Sequence, residues 1–535
     1  MNYNNFQKTF NLLLIFCLSG NIFAQSFDGI WESEGYGHIL NISGSSADLY
    51  QVTQISNIFD ETFDINNNEL GIGADLMGLM AIENDQLILT LNGGTLVTFN
   101  SIDNLPGITP ATNDPQINFD IFWQTYEDWC ALFPIVNVDW HEQYVFYDAL
   151  IDANTSDDDL FNYMAQMLST LNDGHSYLDD EDDDDRYFEG GPEVGLLWDE
   201  YDYDMMDMIE EYYIDGQEYV LSASEQISYG IINDSIGYLA VNSMDGYDDN
   251  GNELDDNAVF ANEINQALTF LQNTKGLIID VRFNFGGYDS NSRNLANRLT
   301  PVQQVVYSKQ VRTSAYDVFA TPTVFSVHTD EVPYLNRPVI VLTSDATLSA
   351  ADIFAIMVKE LDCVTLIGET TYGILSDNYS KYLPNGWDFG ISPERYLDNN
   401  GTNYEQQGIP PDIEVIGSMA AFNNNEDNIL DVAIAEIFGL CSITSVSDVD
   451  IKKAIRVFPN PTNDLLQIEL ELSVSNEVTL TISDVLGRTI VSSLENGVSG
   501  QNKFEIDVRS IANGFYFLTI ESGGRAASIR FSVLK

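Results

Sequence analysis

The spacing of apolar residues divides the chain into segments that predict different secondary structures. In residues 26–100 apolar and polar positions alternate between Gly, Asn and Ser turns, which predicts short β-strands in a small sheet or barrel. Residues 116–172 change to helical spacing, as at Phe119 and Phe122. Residues 453–535 return to short strands between Gly and Asn turns, a pattern typical of a β-sandwich.

From residue 236 onward, continuous apolar runs alternate with segments of helical spacing. This pattern predicts a sheet that is covered by helices on both faces. The predicted strands are Ile236–Val241, Gly276–Val281, Pro338–Thr343 and Val364–Ile367, and the predicted helices are Ala258–Leu271 and Ala350–Leu361.

A chain of 535 residues is long enough for several folding units, so we expect a multidomain protein built from α/β and β domains. The predicted order is a small N-terminal β-rich domain at 25–112, a helical segment at 113–178, an acidic insert at 179–235, an α/β core at 236–440, a linker at 441–449 and a C-terminal β-sandwich at 450–535.

Residues 1–24 have the layout of a secretory signal peptide. Lys8 supplies positive charge, and the apolar run 12–18 that follows is too short to span a bilayer. A lipoprotein anchor on Cys17 is the alternative, which the bulky Phe16 before it disfavours. We therefore expect an exported chain without a membrane span.

The charge of the chain narrows the possible partners. It has 83 acidic and 21 basic residues, a net charge of −62. Because phosphate binding needs clustered Lys and Arg, this balance excludes nucleic acid and anionic lipid surfaces. The excess of acidic residues lies in residues 1–449, which hold 73 acidic and 12 basic residues. Residues 450–535 hold 10 acidic and 9 basic residues. This shift predicts a domain boundary.

The densest acidic stretch is 179–211, with 16 acidic residues and one basic residue, Arg186. We expect a solvated loop, and the alternative is a calcium site, because clustered carboxylates suit a hard cation. The nearby stretch Asp245–Asp256 does not fit a calcium-binding helix–loop–helix motif, since Gly246 and Asn257 would occupy positions that need carboxylates.

Three cysteines remain after the predicted signal peptide, too few for a disulfide framework. Cys363 lies in an apolar run and is expected to be a buried hydrophobic residue. A single bridge between Cys130 and Cys441 is possible but is not supported by the sequence alone.

Two motifs carry candidate catalytic side chains. His175 stands in the tight turn Leu-Asn-Asp-Gly-His-Ser, which would present an imidazole for proton transfer near neutral pH. Ser349 follows an apolar strand and opens a helix, which would expose its hydroxyl beside free amides at the edge of a sheet. The structural alternative for Ser349 is an ordinary N-cap, with Asp352 at the capping-box position.

Two further motifs complete the set. In Asp280-Val-Arg-Phe-Asn-Phe-Gly-Gly287 a buried strand runs into a double glycine whose amides could bind an oxyanion, although such a pair is often only a turn. We expect Asp280 and Arg282 to form a structural pair. Glu405 begins the sequence Glu-Gln-Gln-Gly-Ile-Pro-Pro-Asp and could orient an imidazole, although most such glutamates are solvated.

In this order, from about Phe119 to Val415, the four motifs resemble the tail-specific (C-terminal-processing) serine peptidase family. The resemblance implies an α/β peptidase core of the ClpP/crotonase type, with Ser349 as nucleophile. It also implies an oxyanion hole made by Ala350 with Gly286 or Gly287, and no metal or other cofactor. The interval 177–235 is short for the PDZ module that is common in the family.

The residues also separate the branches of this family. The serine–lysine branch carries a lysine about 25 residues after the nucleophile, where this chain has Ile374. The chain is more similar to the tricorn-core branch, which implies His175 as base and Glu405 as its orienting carboxylate. The auxiliary serine of tricorn precedes the histidine, where this chain has Gly174, so Ser176 is a possible substitute.

The last 80 or so residues have a second resemblance, carried by Val457–Pro461, Asp484–Arg488 and Asn513–Leu518. These motifs resemble the C-terminal sorting domain of type IX secretion cargo from Bacteroidetes, and the alternative is a generic adhesive β-sandwich. The resemblance implies the secretion machinery as a partner. It also implies a secreted or cell-surface location, reached through the periplasm and across the outer membrane.

The predicted function is that of a secreted serine endopeptidase that hydrolyses proteins or peptides through an acyl-enzyme on Ser349. The alternative is a catalytically inactive peptide- or ligand-binding protein with the same fold. A third possibility, a structural or adhesive role, depends on the flanking β domains.

Overall fold

The computed structural model describes residues 26–437 and 455–535, apart from short gaps. The gaps are 67, 72–76, 184, 196–197, 199–201, 215–217, 249–251, 314–315, 330–331, 335–336, 460–461, 473–475, 485–487 and 523–524. The predicted signal peptide 1–24 and linker 441–449 lie outside the described residues. The expected combination of α/β and β domains is confirmed.

The N-terminal strands form a closed antiparallel barrel, in which the first strand pairs with the eighth. Alternate side chains along each strand point inward, so that the barrel interior is filled by apolar residues such as Leu40, Leu89 and Phe99. The strands are β1 (Gly29–Ser33), β2 (His38–Ser43), β3 (Ser46–Val52), β4 (Asn57–Asn66), β5 (Glu69–Leu70), β6 (Gly78–Glu83), β7 (Gln86–Leu91) and β8 (Leu96–Ile102).

Three helices follow the barrel: α1 (Pro115–Trp129), α2 (Trp140–Asp148) and α3 (Asp157–Ser169). Asp114, Asp139 and Ser156 cap their N-termini by accepting hydrogen bonds from first-turn amides. Their apolar faces share one continuous core with the barrel. The barrel is therefore packed onto the rest of the molecule.

The middle of the chain forms three sheets with helices packed against them. One has four strands in the order β10-β9-β20-β19, one has three in the order β16-β15-β21, and one has seven in the order β11-β12-β13-β14-β17-β18-β22. The elements are β9 (Tyr177–Asp179), β10 (Tyr187–Glu189), α4 (Asp202–Tyr213), β11 (Val220–Leu221), β12 (Ile227–Ile232), β13 (Ile236–Val241), α5 (Glu253–Phe270), β14 (Gly276–Asp280), α6 (Asp289–Asn297), β15 (Gln304–Val311), β16 (Thr323–Val327), β17 (Val339–Thr343), α7 (Ala350–Lys359), β18 (Val364–Gly368), β19 (Tyr379–Tyr382), β20 (Asp388–Ile391), β21 (Glu394–Asp398), β22 (Ile413–Glu414), α8 (Met419–Phe422) and α9 (Asn428–Glu436).

The seven-stranded sheet is the α/β core that the apolar runs predict. Strands β13, β14, β17, β18 and β22 are parallel neighbours. Every side chain of β13, β14 and β17 is buried, and the two faces of the sheet pack into two separate apolar clusters. A sheet buried on both faces explains why these strands have continuous rather than alternating apolar residues.

The expectation of a solvated acidic loop is wrong for part of 179–211. Strand β10 pairs with β9, and helix α4 buries Met205, Met208 and Ile209 against the core sheet. Arg186, the single basic residue, forms salt bridges with Asp158, Asp180 and Asp183.

The predicted calcium site is not supported. Within the described part of the chain, no group of three or more His, Cys, Asp or Glu side chains could hold a metal ion. The described residues also contain no helix that is long and apolar enough to cross a membrane.

The expectations for two of the cysteines are also wrong. Cys363 is disulfide-bonded and half-buried, rather than a buried hydrophobic residue. Cys130 is a free, buried thiol, so the possible bridge to Cys441 does not form; Cys441 itself lies outside the described residues. Burial raises the pKa of the Cys130 thiol to about 12.

The C-terminal strands form two antiparallel sheets, one in the order β23-β24-β27 and one in the order β26-β25-β28-β29. Leu466 and Ile468 from the first sheet pack with Leu480 and Leu518 from the second in one apolar cluster. The strands are β23 (Ile455–Phe458), β24 (Leu465–Leu472), β25 (Asn476–Asp484), β26 (Thr489–Gly497), β27 (Gly500–Asp507), β28 (Gly514–Ser522) and β29 (Arg525–Val533).

Candidate active site

The order of strands in the core sheet brings two of the four motifs together. Strands β14 and β17 are parallel neighbours, with Asp280 opposite Leu342 in the register. The double glycine follows the end of β14, and Ser349 follows the end of β17. Because parallel strands end at the same edge, both segments lie at the carboxyl edge of the sheet, where α/β sites form.

Ser349 occupies a strained turn immediately before helix α7. Its backbone has φ 54° and ψ −123°, outside the helical and extended regions that an L-residue prefers. Such strain is common at functional positions. The Ser349 amide donates a hydrogen bond to Asp352 Oδ2 (3.1 Å), so the predicted capping-box carboxylate holds the turn from inside the helix.

Asp352 also connects this turn to the loop after β18. Its carboxylate accepts hydrogen bonds from the amides of Gly373 and Ile374, both at 3.1 Å from Oδ2. Burial raises the pKa of Asp352 to about 7, although these hydrogen bonds oppose the shift.

The double glycine lies directly beside Ser349. A β-carbon at Gly286 would fall 2.6 Å from Ser349 Cβ and 3.1 Å from the Ala350 amide nitrogen, and Gly286 has φ +96°. The Gly286 amide donates a hydrogen bond to Asn284 Oδ1 (2.9 Å), so this amide already has an acceptor within the loop. Gly287 has φ +129° and lines the cavity that Ser349 faces. Ala350 is the first residue of α7, where helix amides have no intrahelical acceptor.

The position of His175 is set by the four-stranded sheet. It lies two residues before β9, and β9 pairs with β20. The backbone amide of His175 donates to Asp173 Oδ1 (3.1 Å), which fixes the turn, and the ring is half-buried. Its Nδ1 atom is buried and has no hydrogen-bond partner among the described residues.

Glu405 is buried close to the histidine turn but does not line the cavity. Its Oε2 atom accepts hydrogen bonds from the amides of Leu375 (3.1 Å) and Ser376 (3.0 Å). Its Oε1 atom is buried without a partner in the described part of the chain. Burial and then the negative charge of Asp173 raise the pKa of Glu405 well above its usual range.

The loop that carries Glu405 is fastened to the histidine turn. Gln406 donates from Nε2 to the carbonyl of Leu171 (2.6 Å). Ile374, where the serine–lysine branch has its lysine, is buried, and its Cδ1 atom would lie 3.0 Å from a β-carbon at Gly174. An apolar side chain therefore fills the space beside the histidine turn.

Ser176, the possible auxiliary serine, is fully buried and donates its hydroxyl hydrogen bond to Asp173 Oδ2 (2.7 Å). The same oxygen accepts a hydrogen bond from Ser392 (2.8 Å). Both serines thus stabilise the buried Asp173 carboxylate, which in turn fixes the His175 backbone.

Ser349, His175 and Gly287 line one cavity of about 340 Å³. The remaining lining comes from the barrel (Met77, Leu91, Asn92, Gly93 and Thr95) and from Glu253, Tyr288, Asp289, Lys309, Phe325, Asp377, Asn378 and Tyr379. Nothing in the sequence indicated that the barrel contributes to this cavity, because no motif joins the barrel strands to the core.

Asp280 and Arg282 form the predicted structural pair. Both are fully buried, with 2.6 Å between Arg282 Nη2 and Asp280 Oδ2. Asp427, the N-cap of α9, lies 2.8 Å from the same guanidinium nitrogen. Sequence reasoning missed Asp427, and it also missed the supporting roles of Asp173 and Asn284, which stand inside the quoted motifs and could have been found there.

Two parts of the chain are similar to known protein families. Residues 235–415 match the family model described as peptidase family S41. Carboxy-terminal processing protease CtpA of Bacillus subtilis (strain 168) is 26% identical over 156 residues, which are 29% of this chain and 32% of the relative. The tricorn protease of Thermoplasma volcanium is 28% identical over 162 residues, 30% of this chain and 14% of the relative. The match to peptidase family S41 covers residues 235–415 of the α/β core.

The crystal structure of a candidate peptidase from Parabacteroides merdae is also similar to this chain. It covers 61% of this chain and 97% of that chain, with 26% identity and a TM-score of 0.52. The family resemblance of the four motifs is therefore confirmed. The chain spans about a third or less of the length of the two curated relatives, CtpA and tricorn protease.

Residues 456–534 match the secretion system C-terminal sorting domain. This match confirms the second resemblance and indicates type IX secretion, with export to the cell surface or outside the cell. It implies the secretion machinery as a partner. Together with the S41 match, the sorting domain supports a secreted peptidase.

Proposed function

We propose that this chain is a secreted serine endopeptidase that cleaves proteins or peptides through an acyl-enzyme on Ser349. The observation that carries the proposal is the common cavity of Ser349, His175 and Gly287. A nucleophile, a base and an amide donor around one space are the components that acyl transfer requires.

In the proposed mechanism, His175 takes the proton of the Ser349 hydroxyl as Oγ bonds to the substrate carbonyl carbon. When the tetrahedral intermediate collapses, the imidazolium returns that proton to the leaving amine and an ester remains on Ser349. Water, activated by the same imidazole, then hydrolyses the ester.

The oxyanion would be stabilised by the amides of Gly287 and Ala350. Gly286 is the less suitable donor, because its amide hydrogen bond goes to Asn284. Removal of one such donor costs about 3–4 kcal/mol of transition-state stabilisation in serine peptidases.

Glu405 is proposed to orient His175 through the Nδ1 side of the ring. The support is the pair of buried, unpartnered atoms, His175 Nδ1 and Glu405 Oε1, on two segments that Gln406 fastens together. A buried polar atom without a partner is costly, so a bridging water between these atoms would satisfy both.

The test is labelling of the full chain by a fluorophosphonate, which reacts with activated serines. We expect labelling of the wild type, none in Ser349→Ala, and labelling slowed by at least about a hundredfold in His175→Ala, within the range for loss of a general base. Ser235→Ala and His141→Ala, which change residues outside the cavity, are the matched controls.

A wild type that resists labelling but binds peptides would overturn the proposal and support the catalytically inactive alternative. Loss of labelling in either control would show that the variants act through the fold rather than through the chemistry.

A further inference from the structure

The cavity beside Ser349 has an acidic wall. Glu253, Asp289 and Asp377 line it together with a single lysine, Lys309. Lys309 Nζ lies 2.5 Å from Asp377 Oδ2 and 3.3 Å from Glu394 Oε2, so that its charge is already paired with the Asp377 carboxylate.

Asp289 and Glu253 have no comparable partner. In the described part of the chain, neither carboxylate has a Lys or Arg nitrogen within 4.0 Å. Asp289 accepts a hydrogen bond from the Tyr396 hydroxyl (2.9 Å), and Glu253 accepts one from the Ser290 hydroxyl (2.5 Å). Burial and the nearby Asp377 raise the pKa of Asp289 to about 7, and burial also raises the pKa of Glu253. Neither carboxylate is therefore part of a direct ion pair among the described residues.

Arg293 is the other cation near this wall; its Nη1 atom is buried without a hydrogen-bond partner in the described structure. Its Nη2 atom donates to the carbonyl of Gly93 in the barrel (2.8 Å) and its guanidinium lies over the Phe325 ring at 5.3 Å. It lowers the pKa of both Asp289 and Glu253, but less than burial raises them. Three lining carboxylates, those of Glu253, Asp289 and Asp377, thus face two cations.

Behind the aromatic part of the cavity lining lies a second buried ring, that of Tyr307. Tyr307 is fully buried, and its hydroxyl has no hydrogen-bond partner in the described structure. Burial and then the negative charge of Asp289 raise the pKa of Tyr307. The Tyr307 ring stacks on Phe325, which lines the cavity.

The barrel supplies another part of the cavity lining, next to Glu253. Met77 and Leu91 contribute apolar surface, and a β-carbon at Gly93 would lie 3.3 Å from Glu253 Oε1. An apolar side next to a carboxylate wall and an aromatic ring suits a long aliphatic side chain that ends in a cation.

We infer that this cavity binds a lysine or arginine side chain of the substrate, at a position next to the scissile bond, and that Asp289 and Glu253 determine this specificity. The inference rests on the proposed peptidase function. It names cationic peptides as the substrate class, and it makes the barrel part of the substrate-binding cleft.

The experiment measures cleavage of matched peptides by the full chain. In each peptide one position carries arginine, lysine, leucine or citrulline, which has the shape of arginine without its charge, and mass spectrometry identifies the bond that is cut. At one position of the peptide, we expect kcat/KM to be about tenfold or more higher with arginine than with citrulline, the effect of a hydrogen bond to a charged group.

Two variants test the assigned residues. Asp289→Asn and Glu253→Gln should each lower the arginine-to-citrulline ratio several-fold, and Glu253→Gln covers the case in which Asp289→Asn fails to fold. Asp255→Asn removes one charge from the same helix as Glu253, but at an exposed position outside the cavity, and should leave the ratio unchanged.

A wild type that Ser349 labelling shows to be active, but that cuts arginine and citrulline peptides equally, would overturn this inference and leave the proposed function intact. A ratio that is unchanged in Glu253→Gln and in folded Asp289→Asn would overturn the assignment of these carboxylates. A wild type that is not labelled at all would overturn both proposals.

Discussion

Gly286 and Ser349 lie in van der Waals contact although 62 residues separate them in the chain. A β-carbon at Gly286 would come 2.6 Å from Ser349 Cβ, closer than two such atoms can approach. Gly286 therefore has a steric role beside Ser349, in addition to the oxyanion-binding role proposed for the amide of Gly287.

We expect Gly286→Ala to slow fluorophosphonate labelling of Ser349 by at least about a hundredfold, since displacement of a reacting group by about 1 Å can have an effect of this size. The labelling rate and the thermal midpoint are measured together. Gly401→Ala is the control, because Gly401 also has a positive φ (+80°) but no atom within 4 Å of its β-carbon position.

The control should lose about 1–2 kcal/mol of stability, the typical cost of a left-handed backbone for an L-residue, without a change in labelling. Equal labelling of Gly286→Ala and wild type would show that the turn can move away from the methyl group, and would contradict the steric role.

Asp352→Asn is expected to slow labelling by about tenfold or more, because the Gly373 amide donates to both carboxylate oxygens and would face the new NH2 donor whichever oxygen it replaces. The strained turn of Ser349 would lose its support. The labelling rate is compared with the thermal midpoint. Asp398→Asn is the control, since Asp398 also accepts two backbone amides, from Asn400 and Thr402, in a turn that does not line the cavity.

If Asp398→Asn slows labelling as much as Asp352→Asn, the effect of Asp352 is general destabilisation rather than support of the nucleophile.

The stability of the protein should fall as the pH rises from about 5 to 8, and Glu394 should contribute to that fall. Burial raises the pKa of Glu394 from 4.5 to about 8, so the folded state holds a proton that the unfolded chain releases near pH 4.5. The stabilisation from this proton is complete below pH 4.5 and is lost as the pH rises through 8.

The measurement is urea denaturation of wild type and Glu394→Gln at several pH values, followed by tryptophan fluorescence. The difference between their free energies of unfolding should change by at most about 1.4 kcal/mol per pH unit, the limit for one proton. Glu142→Gln, at an exposed position, should follow the wild type. A difference that does not vary with pH would contradict the raised pKa.

Arg282→Leu is expected to reduce the free energy of unfolding by about 3–5 kcal/mol, because it leaves the carboxylates of Asp280 and Asp427 buried without a cation. Urea denaturation gives the value. Arg186→Leu also removes a cation from three carboxylates, but near the surface, and should cost about 1 kcal/mol or less. Similar losses in the two variants would contradict the distinction between buried and surface pairs.

The periodicity of apolar residues was sufficient to predict the local structure. Strand Ile236–Val241 has the predicted bounds, and helix α7 begins at Ala350 as predicted. Such elements depend on residues that are close in the chain, and the hydrophobic pattern records which faces are buried. The four motifs and the sorting-domain motifs could be recognised for the same reason, because each consists of residues that are close together in the chain.

The sequence failed where charge was used to predict structure. The composition of the acidic stretch 179–211 predicts a solvated loop, yet one face of α4 is buried against the core sheet. Composition could not predict this, because burial depends on a partner surface that lies elsewhere in the chain. The disulfide of Cys363 was missed for the same reason.

The sequence by itself determined which segments become strands and helices, where the nucleophile candidate stands at the start of a helix, and which families the chain resembles. Only the tertiary structure decided that Gly287 rather than Gly286 lines the cavity, that Ser176 bonds to Asp173, and that barrel residues line the same cavity. These features depend on contacts between distant parts of the chain, and a contact leaves no periodic signal in either of the segments that it joins.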